Sequence, residues 1–440
     1  VEGERRIPSL KGVGLRIKRL AVKPLRLALL RYVRARPDGP IDPTARPKVW
    51  ILLVSPWGMG GTIRAALNLA GYLAEHGWDV EVVGAYRRRE ESFFGEMPAG
   101  ATFTALDDQR PGRAPGGLAG RVRKFLRKRE SVLVHPSDGT AHEFTLWHDI
   151  QLARRLRGQT GILMGTRPGL NLLAADLAVP GMVTVGLEQM HFRHHVKPLR
   201  DAMKRRYKKL DGFVVLTEHD LANYSFLDGD VAMTRIENTA RELPGPKADL
   251  SSKRVLAAGR LRAQKGFDLL IPAWAKVAKA HPDWKLRICG EGRQRPVLEQ
   301  LVSEHGLQDV VEMPGGRDMA EEMAAASVFA MSSRFEGFPL ILLEAMSKGM
   351  AVVSFDCPTG PADIIDDHRN GLIVPPKDID ALADALSEMM GDEELRRRCA
   401  GPAMATARDY TMEAIGPRWV EYLSGLWRSA APAHGRTGAP

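Results

Sequence analysis

The stretch KVWILLVSPWGMGGTIRAALNLAGYLAEHGWDVEVV, residues 48–83, decides the fold. Its first part, Lys48 to Pro56, is a short apolar run of strand character. Pro56 stops it, because proline has no amide to give to a sheet ladder. Gly58-Met59-Gly60-Gly61 then make a turn, and Ile63, Leu67, Ala70, Leu73 and Ala74 recur at helical spacing. Gly77 ends that helix, and Val80 to Val83 reads as the next strand. Strand, glycine turn, helix, strand is the opening unit of a doubly wound parallel sheet.

Working outward, Gly161 to Gly165, Met182 to Leu187 and Gly212 to Thr217 are further buried-strand candidates. The stretch from Arg87 to about Arg129, rich in Gly, Pro and Arg, reads as a surface loop. Glu242 to Ser252, with Pro244, Gly245 and Pro246, reads as a linker, after which a second alternating series begins. Its strands are expected at Arg254 to Ala258, Lys285 to Cys289, Val310 to Met313, Val328 to Ser332 and Ala351 to Phe355. Helices such as Asp268 to Ala280 and Gln294 to His305 lie between them. Two such series predict an α/β protein of two Rossmann-like, doubly wound domains, residues 48–243 and 250–411, facing across a cleft. A basic extension, 1–47, precedes them, and a helix over 412–429 packs back on the first domain. Ligands bind such sheets at the strand C-terminal ends, so both domains can address the cleft.

Composition narrows the classes. With 440 residues the chain is long enough for two cores, and 44% hydrophobic with 26% charged residues is ordinary for a globular protein. Three scattered cysteines fit a reducing cytoplasm better than a disulfide framework. No apolar run approaches the roughly 18 to 20 residues that span a bilayer, and the basic N-terminus lacks a signal-peptide core. The expected location is therefore cytoplasmic.

The net charge of +10 is concentrated in places. Arg5 to Arg36 holds many cations and no acid, with Leu10, Val13, Ile17, Leu20, Leu25, Leu29 and Val33 spaced as an apolar helical stripe, broken near Pro24. Such a segment suits the anionic inner face of a membrane; packing on the protein's own surface is the alternative. Basic clusters recur at Arg121 to Arg129 and Lys204 to Lys209. They imply an acidic partner, but there is no zinc-finger spacing and no basic run interleaved with aromatics, so nucleic acid is not expected.

The strongest chemical constellation is SRFEGFPLILLEAM, Ser333 to Met346, with two glutamates that have seven residues between them. Gly337 and Pro339 turn the chain, and a helix starts near Leu340. The amides around Phe338 to Leu340 suit a phosphate. Glu344, read as lying in the first helical turn, can accept two hydrogen bonds from a ribose diol. Glu336 can accept from sugar hydroxyls; a solvated glutamate pair is the alternative. Next, Gly259-Arg260-Leu261 and Gln264-Lys265-Gly266 follow the first strand of the second domain. Arg260 can bind phosphate oxygens bidentately and Lys265 is a compact point charge, together able to neutralise a leaving diphosphate. Third, the Gly58 to Gly61 turn lacks the last glycine of G-x-G-x-x-G, and no acid follows the next strand, which argues against NAD. Close backbone approach at Gly60 and Gly61 to a phosphate or sugar remains.

These pieces resemble glycosyltransferase family four, the retaining, nucleotide-sugar-dependent enzymes with two facing Rossmann domains, the GT-B architecture. The likeness covers roughly Lys48 to Trp427 and extends to Gly290-Glu291-Gly292, Cys357-Pro358-Thr359-Gly360-Pro361 and Asn370-Gly371-Leu372. It implies that Glu336 contacts the donor sugar, Glu344 holds the ribose, Arg260 and Lys265 hold the diphosphate, and Gly60 and Gly61 face it from the other domain. It implies no metal and no cofactor beyond the nucleotide-sugar co-substrate. Cys357 to Ile364 (CPTGPADI) resembles members acting on wall polymers or polysaccharides, and the loop before Arg129 becomes an acceptor-side loop. Members often carry a histidine after a first-domain strand; here Gly186-Leu187-Glu188-Gln189-Met190-His191 offers Gln189 or His191. The implied activity is transfer of a hexose or N-acetylhexosamine, from UDP above other bases, to a cell-wall, polysaccharide or lipid-linked acceptor. Rival readings are an epimerase or phosphorylase on the same fold, or a decayed binding subunit at the membrane.

Overall fold

The computed structural model describes residues 23–34, 42, 44–113, 115–179 and 181–434. The first sheet comprises β1 (Val49–Leu53), β2 (Val80–Arg87), β3 (Thr102–Asp108), β4 (Gly161–Gly165), β5 (Met182–Leu187), β6 (Gly212–Val215) and β7 (Ala232–Arg235). The second comprises β8 (Arg254–Ala258), β9 (Lys285–Cys289), β10 (Val311–Gly315), β11 (Val328–Met331), β12 (Ala351–Phe355) and β13 (Leu372–Val374). All pairings within both sheets are parallel. Their orders, β3-β2-β1-β4-β5-β6-β7 and β10-β9-β8-β11-β12-β13, are the same doubly wound arrangement built twice. The order reverses between β1 and β4 in one sheet and between β8 and β11 in the other, so a crevice opens at each pair's C-terminal ends.

A helix α1 covers 23–33. The first sheet carries α2 (Gly61–Glu75), α3 (Gly117–Arg127), α4 (Leu146–Leu156), α5 (Pro168–Asp176), α6 (Lys197–Arg206) and α7 (Glu218–Asn223). The second carries α8 (Phe267–Val277), α9 (Arg295–Glu304), α10 (Met319–Ala324), α11 (Leu340–Ser347), α12 (Pro361–Ile364), α13 (Ile379–Gly391) and α14 (Glu393–Arg408). Central strands such as β1, β4, β5 and β12 are buried along their whole length, because helices cover both faces; this is why they read as continuous apolar runs.

The two halves are joined by more than a linker. The last helix, α15 (Met412–His434), lies along α2: Gly416 faces the Tyr72 ring so closely that a Cβ would come within 2.3 Å of it. Tyr422 donates to the Ala232 carbonyl at 2.6 Å, and Trp419, Leu423 and Trp427 are buried. One apolar cluster therefore runs from Val49 and Val185 of the first sheet to Phe329 and Leu342 of the second.

The stretch from Arg87 to Arg129, expected as loop, holds β3 and α3. Both escape a search for core patterns: β3 is an edge strand, mostly half-buried, and α3 buries only Arg123 among its side chains. The short edge strands β7 and β13 were likewise not foreseen. In α1, Leu30 and Val33 pack into the core while Leu25 and Leu27 stay exposed. Arg26 donates to the carbonyls of Val132 and Leu133 and pairs with Asp176. The rest of the basic extension, residues 1–22, 35–41 and 43, lies outside the described residues.

Candidate functional site

The site begins where β8 ends. Gly259 (φ 153°) and Gly290 (φ 151°) sit back to back: a Cβ on Gly290 would fall 1.9 Å from the Gly259 carbonyl, and one on Gly292 2.3 Å from that of Leu261. The Leu261 amide donates to Glu291 O at 2.9 Å, and Gln294 N to Leu261 O at 3.1 Å. Gly290-Glu291-Gly292 is thus the backing plate of the loop that presents Arg260. Arg260 is exposed and reaches the rim of a cavity in the first domain. Gly266 (φ 64°) follows Lys265, in contact with the Ser332 carbonyl, which a Cβ would approach to 2.0 Å. This close crossing sets the loop after β8 on the loop after β11.

There Lys265 Nζ lies 2.6 Å from Glu336 Oε1, and the Ser333 hydroxyl donates to the same oxygen at 2.6 Å. Gln264 Nε2 donates to Phe335 O at 3.1 Å and lies 3.4 Å from Glu336 Oε2. The Glu336 carbonyl accepts from Thr359, a non-glycine residue at φ 69°, so the CPTGP loop clasps the glutamate from behind. Gly360 packs on Pro339, which a Cβ would approach to 2.4 Å. Glu336 is buried at 6% exposure but charge-compensated, which is what makes an ionised carboxylate tolerable there. The buried Cys357 thiol nearby is pushed up to about 12 by burial and by the Glu336 charge, so it is no nucleophile.

Glu344 lies one turn into α11, not in its first turn, which carries no acid. It accepts from Arg64 Nη1 of α2 at 3.1 Å, a contact that crosses from one domain to the other. Burial raises its pKa and Arg64 opposes that. Gly60 (φ 156°) caps α2, and a Cβ at Gly60 or Gly61 would meet nothing within 4 Å. These glycines leave open space at a helix N-terminus, where an anion is favoured. Of the other expected donor-side residues, Gly337 abuts the Gln189 carbonyl, Phe338 is buried against Tyr410 with ring centroids 5.5 Å apart, and Leu340 opens α11.

On the first-domain side a cavity of about 660 Å³ lies at the C-terminal ends of β1, β4 and β5. Gly58 to Ile63, Thr166, Arg167, Glu188, Gln189, His194, His195 and Arg260 are on its wall. Gln189 exchanges amide hydrogen bonds with Asn238 at 3.3 and 2.7 Å. His191 is not on that wall; it stands edge-on to Phe335 (6.4 Å) and to His194 (5.9 Å), and burial lowers its pKa. His195 Nε2 lies 3.6 Å from buried Glu188, whose Oε2 has no hydrogen-bond partner among the described residues. Burial works against the His195 imidazolium, but Glu188 outweighs it and the pKa is raised. Glu188 and Arg64 were not singled out from sequence: Arg64 meets Glu344 across 280 positions, and the pairing of Glu188 with His195 shows no motif. Among the described residues no group of three His, Cys, Asp or Glu is placed to hold a metal ion. Asp228-Gly229-Asp230 is a turn, with Gly229 at φ 78° and Asp230 paired to Lys208.

Two doubly wound Rossmann-like sheets, with cationic and carboxylate groups at the second switch point, form the GT-B architecture. Residues 241–403 match the family model of glycosyl transferases group 1. The chain is 34% identical over 394 residues to an exopolysaccharide phosphotransferase of Streptomyces coelicolor, an alignment over 86% of this chain and 41% of that one. It is 26% identical over 389 residues to the amylovoran biosynthesis glycosyltransferase AmsD of Erwinia amylovora, covering 86% and 99%. Among solved structures, S. aureus TarM in complex with fondaparinux, alpha-GlcNAc-glycerol and UDP superposes with a TM-score of 0.68 at 15% identity, over 86% and 99% of the two chains. That likeness is one of fold.

Proposed function

We propose that the chain is a retaining glycosyltransferase that moves a hexose or N-acetylhexosamine from a UDP-sugar to a cell-wall polymer, polysaccharide or lipid-linked acceptor. The work is done at the cytoplasmic face of the membrane, with the basic N-terminal extension touching the lipid. The observation that carries the reading is that Arg260 shares a cavity wall with the Gly60-Gly61 turn, Lys265 pairs with Glu336 on the adjoining loop, and Arg64–Glu344 bridges the domains. The UDP in the TarM complex supports the donor class, and the likeness to an exopolysaccharide phosphotransferase and to an amylovoran biosynthesis glycosyltransferase supports the acceptor class.

In this reading Glu344 accepts from the ribose hydroxyls, while Arg260 and Lys265 take the diphosphate. Lys265 has three N–H donors; one serves Glu336 and two remain for phosphate oxygens. Glu336 then accepts from the sugar. The anomeric carbon–phosphate oxygen bond breaks as the acceptor oxygen bonds the same face, and the acceptor proton goes to the departing phosphate. Arg260, Lys265 and the α11 N-terminus offset the charge that develops, so no metal ion is called for. Glu336 is held by Lys265 and Ser333 as a hydrogen-bond acceptor, which disfavours a role as nucleophile. From the first domain, Gln189 or His191 completes the sugar site.

The test is release of nucleoside diphosphate from a panel of UDP-, GDP- and ADP-sugars, run beside Glu344→Ala and Lys265→Ala. Release from the UDP-sugars alone, lost in both variants, is expected. Undiminished release in both variants, or a glycosyl group trapped covalently on Glu336, would overturn the reading.

A further inference from the structure

Helix α3 is built inside out. On most surface helices apolar side chains face the core and charged ones face water. Here the inward side chain is Arg123, 6% exposed, whose Nε donates to Asp107 Oδ1 at 2.7 Å. Arg127 Nε reaches Asp107 Oδ2 at 3.0 Å. The apolar residues Leu118, Val122 and Phe125 point the other way, 77%, 44% and 57% exposed. Their spacing of four and three places them in one stripe along the helix. Arg121, Lys124, Lys128 and Arg129 are exposed around that stripe, and Arg129 lies over the Phe125 ring at 4.9 Å. From Gln109 to Arg129 there is no acidic residue.

We infer that α3 is an interfacial anchor that lies in the surface of an anionic lipid bilayer, its Leu118-Val122-Phe125 stripe among the acyl chains and its cations at the headgroups. Eleven residues are too few to cross a bilayer and suffice to lie in one. The charge selects the occupant: a cationic rim around an apolar stripe matches phosphate-bearing headgroups over acyl chains. Long Lys and Arg side chains reach up to the headgroups while their stems stay with the apolar face. The ion pairs to Asp107 fix the helix to the body, so its outward face needs no partner within the chain.

The position has a consequence for the site. Asp107 pairs in register with Tyr86 of β2, and Tyr86 lies on the wall of the first-domain cavity. Anchoring through α3 therefore sets the edge of that cavity against the bilayer. The segment leaving α3 also receives Arg26 of α1 at the Val132 and Leu133 carbonyls, which places the exposed Leu25 and Leu27 beside the same segment. Vesicle binding requires neither donor nor acceptor, so its outcome is independent of the proposed transfer.

The experiment is flotation of the full chain with phosphatidylglycerol–phosphatidylcholine vesicles and with phosphatidylcholine alone, repeated for the Leu118→Ser/Val122→Ser/Phe125→Ser variant. All three side chains are exposed, so the variant should keep the native thermal midpoint. Partitioning to the anionic vesicles should fall about tenfold or more, since both the apolar and the electrostatic contributions are needed for stable attachment. A polarity-sensitive thiol dye gives the second readout, because the native cysteines are all buried. At Phe125→Cys its emission should shift to the blue on anionic vesicles, and at Val297→Cys on the second domain it should not. Equal partitioning of the triple variant, no binding by the native chain, or a dye at position 125 that stays in water on floated protein would each overturn the anchor. So would recovery on phosphatidylcholine alone at the same level.

Discussion

The two sheets share one strand order and differ in how their crevices are finished. After β8 and β11 nearly every polar group has a partner: Lys265 with Glu336, Ser333 with Glu336, Arg334 with Asp268 at 2.6 Å, Thr359 with the Glu336 carbonyl. After β1, β4 and β5 the cavity is wide, and among the described residues Glu188 Oε2 and His195 Nε2 have no hydrogen-bond partner. A crevice finished by its own side chains is suited to one invariant ligand part, such as a nucleoside diphosphate. A roomy crevice with unspent polar groups is suited to a partner that differs between relatives. The difference teaches where to look for common chemistry and where for specificity.

The sharpest way to break this contrast is to unfinish the second crevice. Lys265→Ala removes the counter-charge of Glu336 and one cation of the proposed diphosphate site. Turnover of the accepted donor should drop roughly 100- to 1,000-fold, the scale of losing one preorganised electrostatic group. Steady-state release of nucleoside diphosphate measures it, and a loss of threefold or less would mean that the paired groups are scaffold. The next largest effect separates Gln189 from His191. Gln189 is on the cavity wall and His191 is off it, so Gln189→Ala should cost about tenfold or more in turnover and His191→Ala about twofold. The reverse order would place the reacting sugar against Phe335 rather than in the cavity. Smaller still, Glu344→Gln should weaken nucleoside diphosphate binding about tenfold with kcat nearly kept, as when a charged acceptor becomes a neutral one. Calorimetric titration decides it; a fall in kcat with unchanged affinity would move Glu344 from ribose binding to chemistry.

The contrast also explains what could be read from the chain. The strands that flank each switch point are buried on both faces and announce themselves as apolar runs, and the glycine turns follow from backbones that touch, as at Gly290 on Gly259. Arg260, Lys265 and Glu336 sit within a few residues of the ends of those strands, so their nearness to the second crevice could be read from the sequence. Contacts between distant segments were not: nothing local to Arg64 points to Glu344, or local to Gly337 points to Gln189. Helix α3 was read as loop because Gly, Pro and Arg dominate the stretch around it, and its short apolar stripe looks outward rather than marking a buried face.

The smallest effect tests whether the first crevice holds unspent charge. Glu188 raises the His195 pKa above the ordinary 6.5, against burial and against Arg167, with Asp138 assisting. A histidine that binds its proton more tightly when folded stabilises the fold fully below the unfolded value. That contribution is lost as pH rises through the folded pKa, above 6.5. The Glu188→Gln variant leaves burial and Arg167 opposed by Asp138 alone, so the His195 resonance should titrate below the ordinary value instead of above it. The native chain should lose more thermal stability than the variant between pH 6 and pH 8, by about 2 °C or less in a chain of this size. Histidine NMR titration is the direct measurement. An unmoved His195 would mean that Glu188 is already spent on a neighbour, and the first crevice would then be as finished as the second.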